Sequence, residues 1–242
     1  MSVLFHISDL HFGAEDSAAL AWFAGLVQTE APDAVIVTGD ITQRAKKREF
    51  AAAAEWLEAL PVPVTVEPGN HDLPYFNLLE RFTRPYARLR AVQDMVNVPL
   101  DLKDCTVVPL KTTARFQLRL NWSLGHVAAG AIRETRAGLS AAQADHVKLV
   151  ACHHPLVDLA ETGTKGRTRN GPHALRVIAS AGADAVLSGH VHTPFDLNRR
   201  VQGENVRLIG AGTLSERIRE HEPSFNEIII EQGKINVTAR VA

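Results

Sequence analysis

The chain reads as an α/β protein built on parallel β-strands, and three observations lead there. Short, near-continuous apolar runs alternate with amphipathic helical stretches over the first seventy residues, a pattern suited to strands covered on both faces. Each of these runs ends in a small polar cluster or a turn. With 242 residues, 45% apolar and 22% charged, the chain is large enough to bury one substantial core. A single domain over residues 1–242 is therefore expected.

Residues 3–7 form the first strand. A helix follows over 17–30, with Leu20, Phe23 and Val27 on one face and Pro32 as its stop. The second strand is 34–37. An alanine-rich helix spans 46–60, grouping Phe50, Ala54 and Leu57, and Pro61 ends it. The third strand covers 62–66, and Pro63 places it at a sheet edge or near the strand start. Residues 75–90 carry a helical stripe of Phe76, Leu79 and Phe82 interrupted by Pro85, and the segment 73–105 is expected to be cap-like. Strands are expected at 106–110 and 116–124. Ser140 and Gln143 have the spacing of a capping box that opens a short helix. Regular order returns with a strand at 148–152, a helix over 173–181 stopped by Gly182, and a strand at 185–188. The last three strands, 207–210, 225–231 and 235–241, have no helix between them and are expected to be antiparallel.

Bulk charge excludes some partners. A net charge of −1 argues against broad electrostatic binding to nucleic acid or to an acidic membrane. It does not prevent local capture of one small anion. Two cysteines, Cys105 and Cys152, cannot build a disulfide framework, which suits a reducing cytoplasm. The first eight residues lack the features of a secretory signal, and no stretch approaches the length of a membrane span. A cytoplasmic location is expected.

The chemistry lies in five polar clusters, each after an apolar run: Asp9-Leu10-His11, Gly39-Asp40, Gly69-Asn70-His71-Asp72, His153-His154-Pro155 and Gly189-His190-Val191-His192. They hold six of the eleven histidines; His6, His126, His146, His173 and His221 follow no partner pattern. Asp, Asn and neutral His are donors preferred by Mn, Fe, Zn and similar ions. Asp9, Asp40 and Asn70 lie one βαβ repeat apart, at strand ends where open α/β sheets bind ligands. In an extended stretch the side chains of Asp9 and His11, and of His190 and His192, would point the same way. Taken alone, Asp40 also reads as a turn or N-cap aspartate, and 69–72 as a surface turn. Together the five clusters hold donors for two adjacent ions, an arrangement used chiefly for attack of hydroxide on a phosphorus ester.

In this order the motifs Asp-x-His, Gly-Asp, Gly-Asn-His-Asp, His-x-Pro and Gly-His-x-His resemble the calcineurin-like metallophosphoesterase superfamily. Within it, the chain looks most like the bacterial branch that includes class III cyclic nucleotide phosphodiesterases. The resemblance implies a four-layer α-β-β-α sandwich of two mixed sheets flanked by helices. It also implies that Asp9, His11 and His192 hold one metal, that Asn70, His153 and His190 hold the second, and that Asp40 bridges them. His71 would stand beside the scissile phosphate as a catalytic residue, while Asp72 and His154 would orient their neighbours. Two divalent or transition ions are implied, Mn or Fe first, with Zn, Co or Mg as alternatives.

The activity expected is hydrolysis of a small phosphodiester, such as a cyclic nucleotide, by a metal-bridging hydroxide. A phosphomonoesterase or protein phosphatase is the alternative, followed by a binding module that retains the fold without catalysis. A lipid-A pathway pyrophosphatase is disfavoured, because the resembled enzymes carry arginine where this chain has His71. No stable nucleic-acid binding and no membrane association are expected, and a homodimer is compatible with the sequence. Two basic loops, 162–171 with Lys165, Arg167 and Arg169, and 216–223 with Arg217 and Arg219, are candidates for phosphate contact, although solvated charged loops are commoner.

Overall fold

The computed structural model describes residues 1–117, 121–159, 168–218 and 221–242. The described elements run in the order β1 (Ser2–Ile7), α1 (Ser17–Glu30), β2 (Ala34–Val37), α2 (Lys47–Glu58) and β3 (Val64–Val66). Then come α3 (Leu78–Thr83), α4 (Ala87–Val96), β4 (Cys105–Pro109), α5 (Ala129–Ala141) and β5 (Val147–Ala151). The chain continues through α6 (Gly171–Ser180), β6 (Ala185–Ser188), β7 (Phe195–Val201), β8 (Glu204–Gly210), β9 (Ser224–Glu231) and β10 (Lys234–Val241).

Two mixed five-stranded sheets result, in the orders β10-β9-β1-β2-β3 and β4-β5-β6-β8-β7. Strand alternation assigns their faces. Leu4 and Ile36 of the first sheet meet Leu149, Ala151, Leu187 and Ile209 of the second in one apolar cluster between the sheets. The neighbouring residues Phe5, Val35 and Val37 turn outward onto α1, α2 and α4. Val150 and Val186 turn outward onto α5 and α6. Inward and outward side chains along one strand thus serve different layers, which is the four-layer α-β-β-α arrangement.

Several expectations need correction. Residues 75–90 do not form one helix: α3 and α4 are separate around Pro85, as proline disfavours helix continuation through its own position. The strand expected at 116–124 is absent from its described residues. Asn121 Oδ1 there accepts from the Ser123 amide at 3.0 Å and its hydroxyl at 2.6 Å, a local turn that competes with a ladder. Ser140 opens no helix; it sits in the last turn of α5, where its hydroxyl donates to the Arg136 carbonyl at 3.0 Å. Residues 207–210 belong to β8, which pairs parallel with β6 as well as antiparallel with β7. β7 escaped the sequence reading because its half-polar run alternates buried and exposed residues, as suits an edge strand. β3 does lie at a sheet edge, with Pro63 just before it.

Within the segment 73–105, α4 packs on α2 and places Leu89, Val92 and Val96 in the outer core of the first sheet. The stretch before it remains open, with Phe76 and Leu79 each 76% exposed. Arg81 is buried there and donates to the carbonyls of Pro74 and Arg115. No described helix is long and apolar enough to cross a membrane.

Candidate metal centre

The parallel strands of both sheets end at one rim, and their ladders continue beyond the strands into the polar loops. Asp9 N donates to Gly39 O at 3.0 Å and His11 N to Asp40 O at 3.0 Å, tying the loops after β1 and β2 together. In the second sheet Gly189 N donates to His153 O at 2.9 Å and Ala211 N to Ser188 O at 2.9 Å. Five rim residues then adopt left-handed backbone: Asp9 (φ 56), His11 (φ 49), Asp40 (φ 52), His190 (φ 71) and His192 (φ 58). The pairs Asp9/His11 and His190/His192 are therefore not extended, contrary to the expected reason for their convergence. Left-handed turns aim them inward instead. Each such residue costs roughly 1–2 kcal/mol, and strain of this kind gathers at functional sites.

Two glycines make the close approach possible. A Cβ at Gly69 would lie 2.1 Å from both the amide N and Oδ1 of Asp40. One at Gly189 would lie 1.7 Å from Ser8 Oγ and 2.7 Å from Asp9 Oδ2.

All seven residues implied as ligands come together at this rim, in two groups. In the first, Asp9 Oδ1 lies 3.0 Å from His192 Nε2 and 3.5 Å from His11 Nε2. The two imidazole Nε2 atoms are 3.3 Å apart. His192 Nδ1 donates to the Arg217 carbonyl at 2.6 Å and His11 Nδ1 to that of Thr42 at 3.4 Å. A carbonyl only accepts, so the hydrogen of each neutral ring sits on Nδ1 and the Nε2 lone pairs face each other and Asp9. In the second group His153 Nδ1 donates to Thr38 O at 2.7 Å. Its Nε2 faces Asp40 Oδ2 at 3.3 Å and Asn70 Oδ1 at 3.2 Å. His190 joins it, ring centroids 5.1 Å apart.

Acceptor atoms converge in each group within a largely buried space, with Arg217 Nη1 reaching His11 Nε2 at 3.4 Å from the mouth. Asp9 Oδ1 is fully buried and makes no hydrogen bond among the described residues, and the same holds for Asn70 Nδ2. Convergent lone pairs repel unless a cation lies among them, and metal-binding imidazoles are commonly held this way, with the other ring nitrogen donating to a main-chain carbonyl. The donor set therefore fits two divalent ions. Asp40 ligand atoms lie within 4.8 Å of those of Asp9 and His153 on one side, and of His11 and His71 on the other. Asp40 thus lies within reach of atoms of both groups.

Charge balance shows the same pull toward cations. Burial works against the imidazolium of His153, but the charge and hydrogen bond of Asp40 outweigh it and push the group up to about 9. His192 is also raised, because Asp9 outweighs its burial. Burial by itself would raise both carboxyls; the neighbouring imidazoles hold Asp9 and Asp40 below their usual range. His190 is pushed down to about 3 by burial and by the neighbouring His153.

The supporting residues divide clearly. His154 falls near His153 and His190, yet Thr112 Oγ1 engages its Nδ1 at 2.9 Å and Ser123 O its Nε2 at 2.9 Å. Both nitrogens are occupied, so it braces the loop. Asp72 accepts from the amides of Gly69 and Thr42, each at 2.9 Å, and from the Thr42 hydroxyl at 3.0 Å, holding the 69–72 turn in place. His71 stands at the mouth: Nδ1 donates to Gln43 O at 2.7 Å, which leaves Nε2 as an acceptor. Its amide donates to Asp40 Oδ1 at 2.7 Å. Burial holds the His71 imidazole below its usual range despite the nearby Asp40 charge.

Sequence reasoning missed Thr42, Gln43, Thr112 and Thr213, which act through main-chain and side-chain oxygens. Thr213 Oγ1 donates to Asp9 O at 2.7 Å, linking the loop after β8 to the one after β1. Only the position of Thr213 just beyond an apolar run hinted at this. Of the basic-loop candidates, Arg169 is exposed and pairs its backbone with Gly125 and Val127. Arg217 reaches the mouth of the centre, while Lys165, Arg167 and Arg219 lie outside the described residues.

Known proteins share both the sequence pattern and the fold. A probable cyclic nucleotide phosphodiesterase of Synechococcus sp. is 26% identical over 209 residues, covering 78% of this chain and 72% of its own. The glycerophosphodiester phosphodiesterase GpdQ of Enterobacter lignolyticus is 36% identical over 81 residues, and the match spans only 29% of each protein. Among solved structures, a dimetal phosphatase from Danio rerio superposes with a TM-score of 0.67 at 12% identity, covering 99% of this chain and 96% of that one. Purple acid phosphatase PPD1 from yellow lupin gives 0.64 at 12% identity, covering 99% and 51%. The family model for calcineurin-like phosphoesterases matches residues 3–194, from the first strand to just past the Gly-His-Val-His motif, and the chain belongs to that family.

Proposed function

We propose that the chain is a dinuclear-metal phosphodiesterase acting on a small anionic diester. The observation that carries this is the pair of acceptor clusters sharing Asp40, with His71 open to the cleft beside them. Asp9, His11 and His192 would hold one ion, Asn70, His153 and His190 the other, and Asp40 would bridge the two. When bound, the ions would supply a nucleophile from water at neutral pH and offset charge on the phosphoryl oxygens. Mixed nitrogen and oxygen donors favour Mn or Fe and accept Zn, Co or Mg.

The protein groups divide the remaining work. Main-chain carbonyls of Thr42, Thr38 and Arg217 keep the ligand imidazoles in one tautomer. His71, with Nδ1 hydrogen-bonded to Gln43, faces the cleft through Nε2, which would take up a solvent proton and donate it to the leaving oxygen. The relatives described as a phosphodiesterase of glycerophosphodiesters and of cyclic nucleotides support the diester class. Two buried free cysteines, Cys105 and Cys152, suit a reducing cytoplasm.

The test is an activity panel on metal-reconstituted protein, comparing an aryl phosphodiester with an aryl phosphomonoester and then cyclic nucleotides with glycerophosphodiesters. A higher kcat/KM on the aryl diester is expected. Preference for the monoester would overturn the diester reading and leave the metal site standing.

A further inference from the structure

Arg217 sits at the mouth of the metal centre in a role that the ligand set does not explain. Its main chain is wired into the site: the carbonyl holds His192 Nδ1 at 2.6 Å, and the amide donates to Ser215 Oγ at 3.3 Å. Ser215 in turn bonds Thr213 Oγ1 at 2.7 Å, which grips the Asp9 carbonyl. The side chain then turns over the cleft. Nη1 lies 3.1 Å from His71 Nε2, 3.4 Å from His11 Nε2 and 3.4 Å from Gln43 Oε1.

Among the described residues no carboxylate pairs with this guanidinium, and Nε and Nη2 make no hydrogen bond. The residue is exposed, so solvation permits this, but its position is unfavourable once two divalent ions occupy the acceptor clusters. A permanent cation would then face a positively charged centre a few ångströms away, held only by neutral acceptors. An anion between them removes the conflict. The guanidinium fork suits two oxygens of one phosphoryl group, and three of its donors remain available beside the His71 contact.

We propose that Arg217 is a substrate-contacting residue that binds a non-bridging phosphoryl oxygen of the phosphoester, on the side of the cleft facing His71. This rests on the reading of the centre as a metal-dependent phosphoesterase site. Binding transfers Nη1 from His71 to the phosphoryl oxygen, leaving His71 Nε2 free to carry a proton to the leaving-group side. Backbone and side chain thus serve separately: the carbonyl positions His192, and the guanidinium meets the anion.

That separation makes the proposal testable with Arg217→Ala and Arg217→Lys, each compared with wild type. Metal content per chain is measured by elemental analysis. Inorganic phosphate binding to the metal-loaded protein is measured by calorimetry, and kcat and KM on an aryl phosphodiester are determined separately. Loss of a charge-assisted hydrogen bond predicts phosphate binding about ten- to a hundredfold weaker in Arg217→Ala, with metal content unchanged and partial recovery in Arg217→Lys. KM should rise in parallel. Unchanged phosphate affinity in Arg217→Ala would overturn the proposal. So would metal loss in both variants, which would make Arg217 a positioning residue acting through His192. If wild type bound phosphate but hydrolysed no diester, the diester reading would fail while the phosphate contact stood or fell on the calorimetry alone.

Discussion

The Nε2 atoms of His11 and His192 face each other at 3.3 Å across the carboxylate of Asp9, and both rings are turned that way by hydrogen bonds from Nδ1 to main-chain carbonyls. The residues are 181 positions apart in the chain. Among the described residues Asp9 Oδ1 has no hydrogen-bond donor and His11 Nε2 meets Arg217 Nη1 at 3.4 Å, so the geometry suits a cation.

Metal removal should accordingly destabilise the fold. At a free metal concentration about a thousandfold above Kd, each bound ion adds about 4 kcal/mol, and a chain of this size shifts about 2–4 °C per kcal/mol. Chelation is expected to lower Tm by roughly 8–16 °C for each ion removed, reversed by adding Mn or Fe. Differential scanning calorimetry with elemental analysis checks this. An unchanged Tm in protein shown to have lost its metal would contradict it.

Gly69→Ala probes the contact between the third strand loop and Asp40. Its Cβ would overlap Asp40 N and Oδ1 at 2.1 Å, so the shared carboxylate must move. A displacement of about 1 Å near reacting groups costs on the order of a hundredfold in rate. We expect kcat/KM to fall by that order and metal content to drop. Gly130→Ala is the control, since the nearest atom to its Cβ is Arg133 Nη2 at 3.9 Å, and it should change neither.

A pH effect separate from the metal ligands comes from Glu67, just after β3. Burial pushes its carboxyl up to about 8, with Lys111 opposing only in part. The folded-state value exceeds the unfolded one, so Glu67 reduces stability progressively as pH rises from about 4.5 toward 8. Glu67→Gln should therefore be close to neutral at pH near 4.5 and stabilising, by a few kcal/mol at most, at pH near 8.5. Urea unfolding of both proteins across that window gives the difference directly. A difference independent of pH would show that Glu67 does not titrate in this way.

The core behind the first sheet can be tested apart from function. Phe225 is fully buried, with its ring centroid 4.7 Å from that of Phe5 and 4.9 Å from that of Phe23 at 85°. Phe225→Ala removes these contacts and leaves a cavity, costing about 3–5 kcal/mol. The midpoint of urea unfolding should fall accordingly.

Much of this was legible in the chain because local patterns report local physics. Apolar runs at 34–37 and 185–188 are strands to the residue, and helix α1 spans 17–30 as its stripe and stop require. The donor residues were legible too, since Asp, Asn and His after strand ends have few other uses in combination. Less legible was α5, whose periodic Ile132, Thr135 and Leu139 are spaced among small and polar residues. The half-polar edge strand β7 was equally hidden.

What residue order determined by itself was the set of chemical groups and the strands that carry them, because propensity and periodicity act over a few neighbours. Only the folded chain decided how those groups meet. Left-handed turns at five rim residues, the glycine contacts at 69 and 189, and carbonyls from Thr42, Thr38 and Arg217 all depend on segments distant in sequence. Hydrogen-bond direction and lone-pair orientation are properties of that packing, and they turn a list of donors into a site shaped for cations.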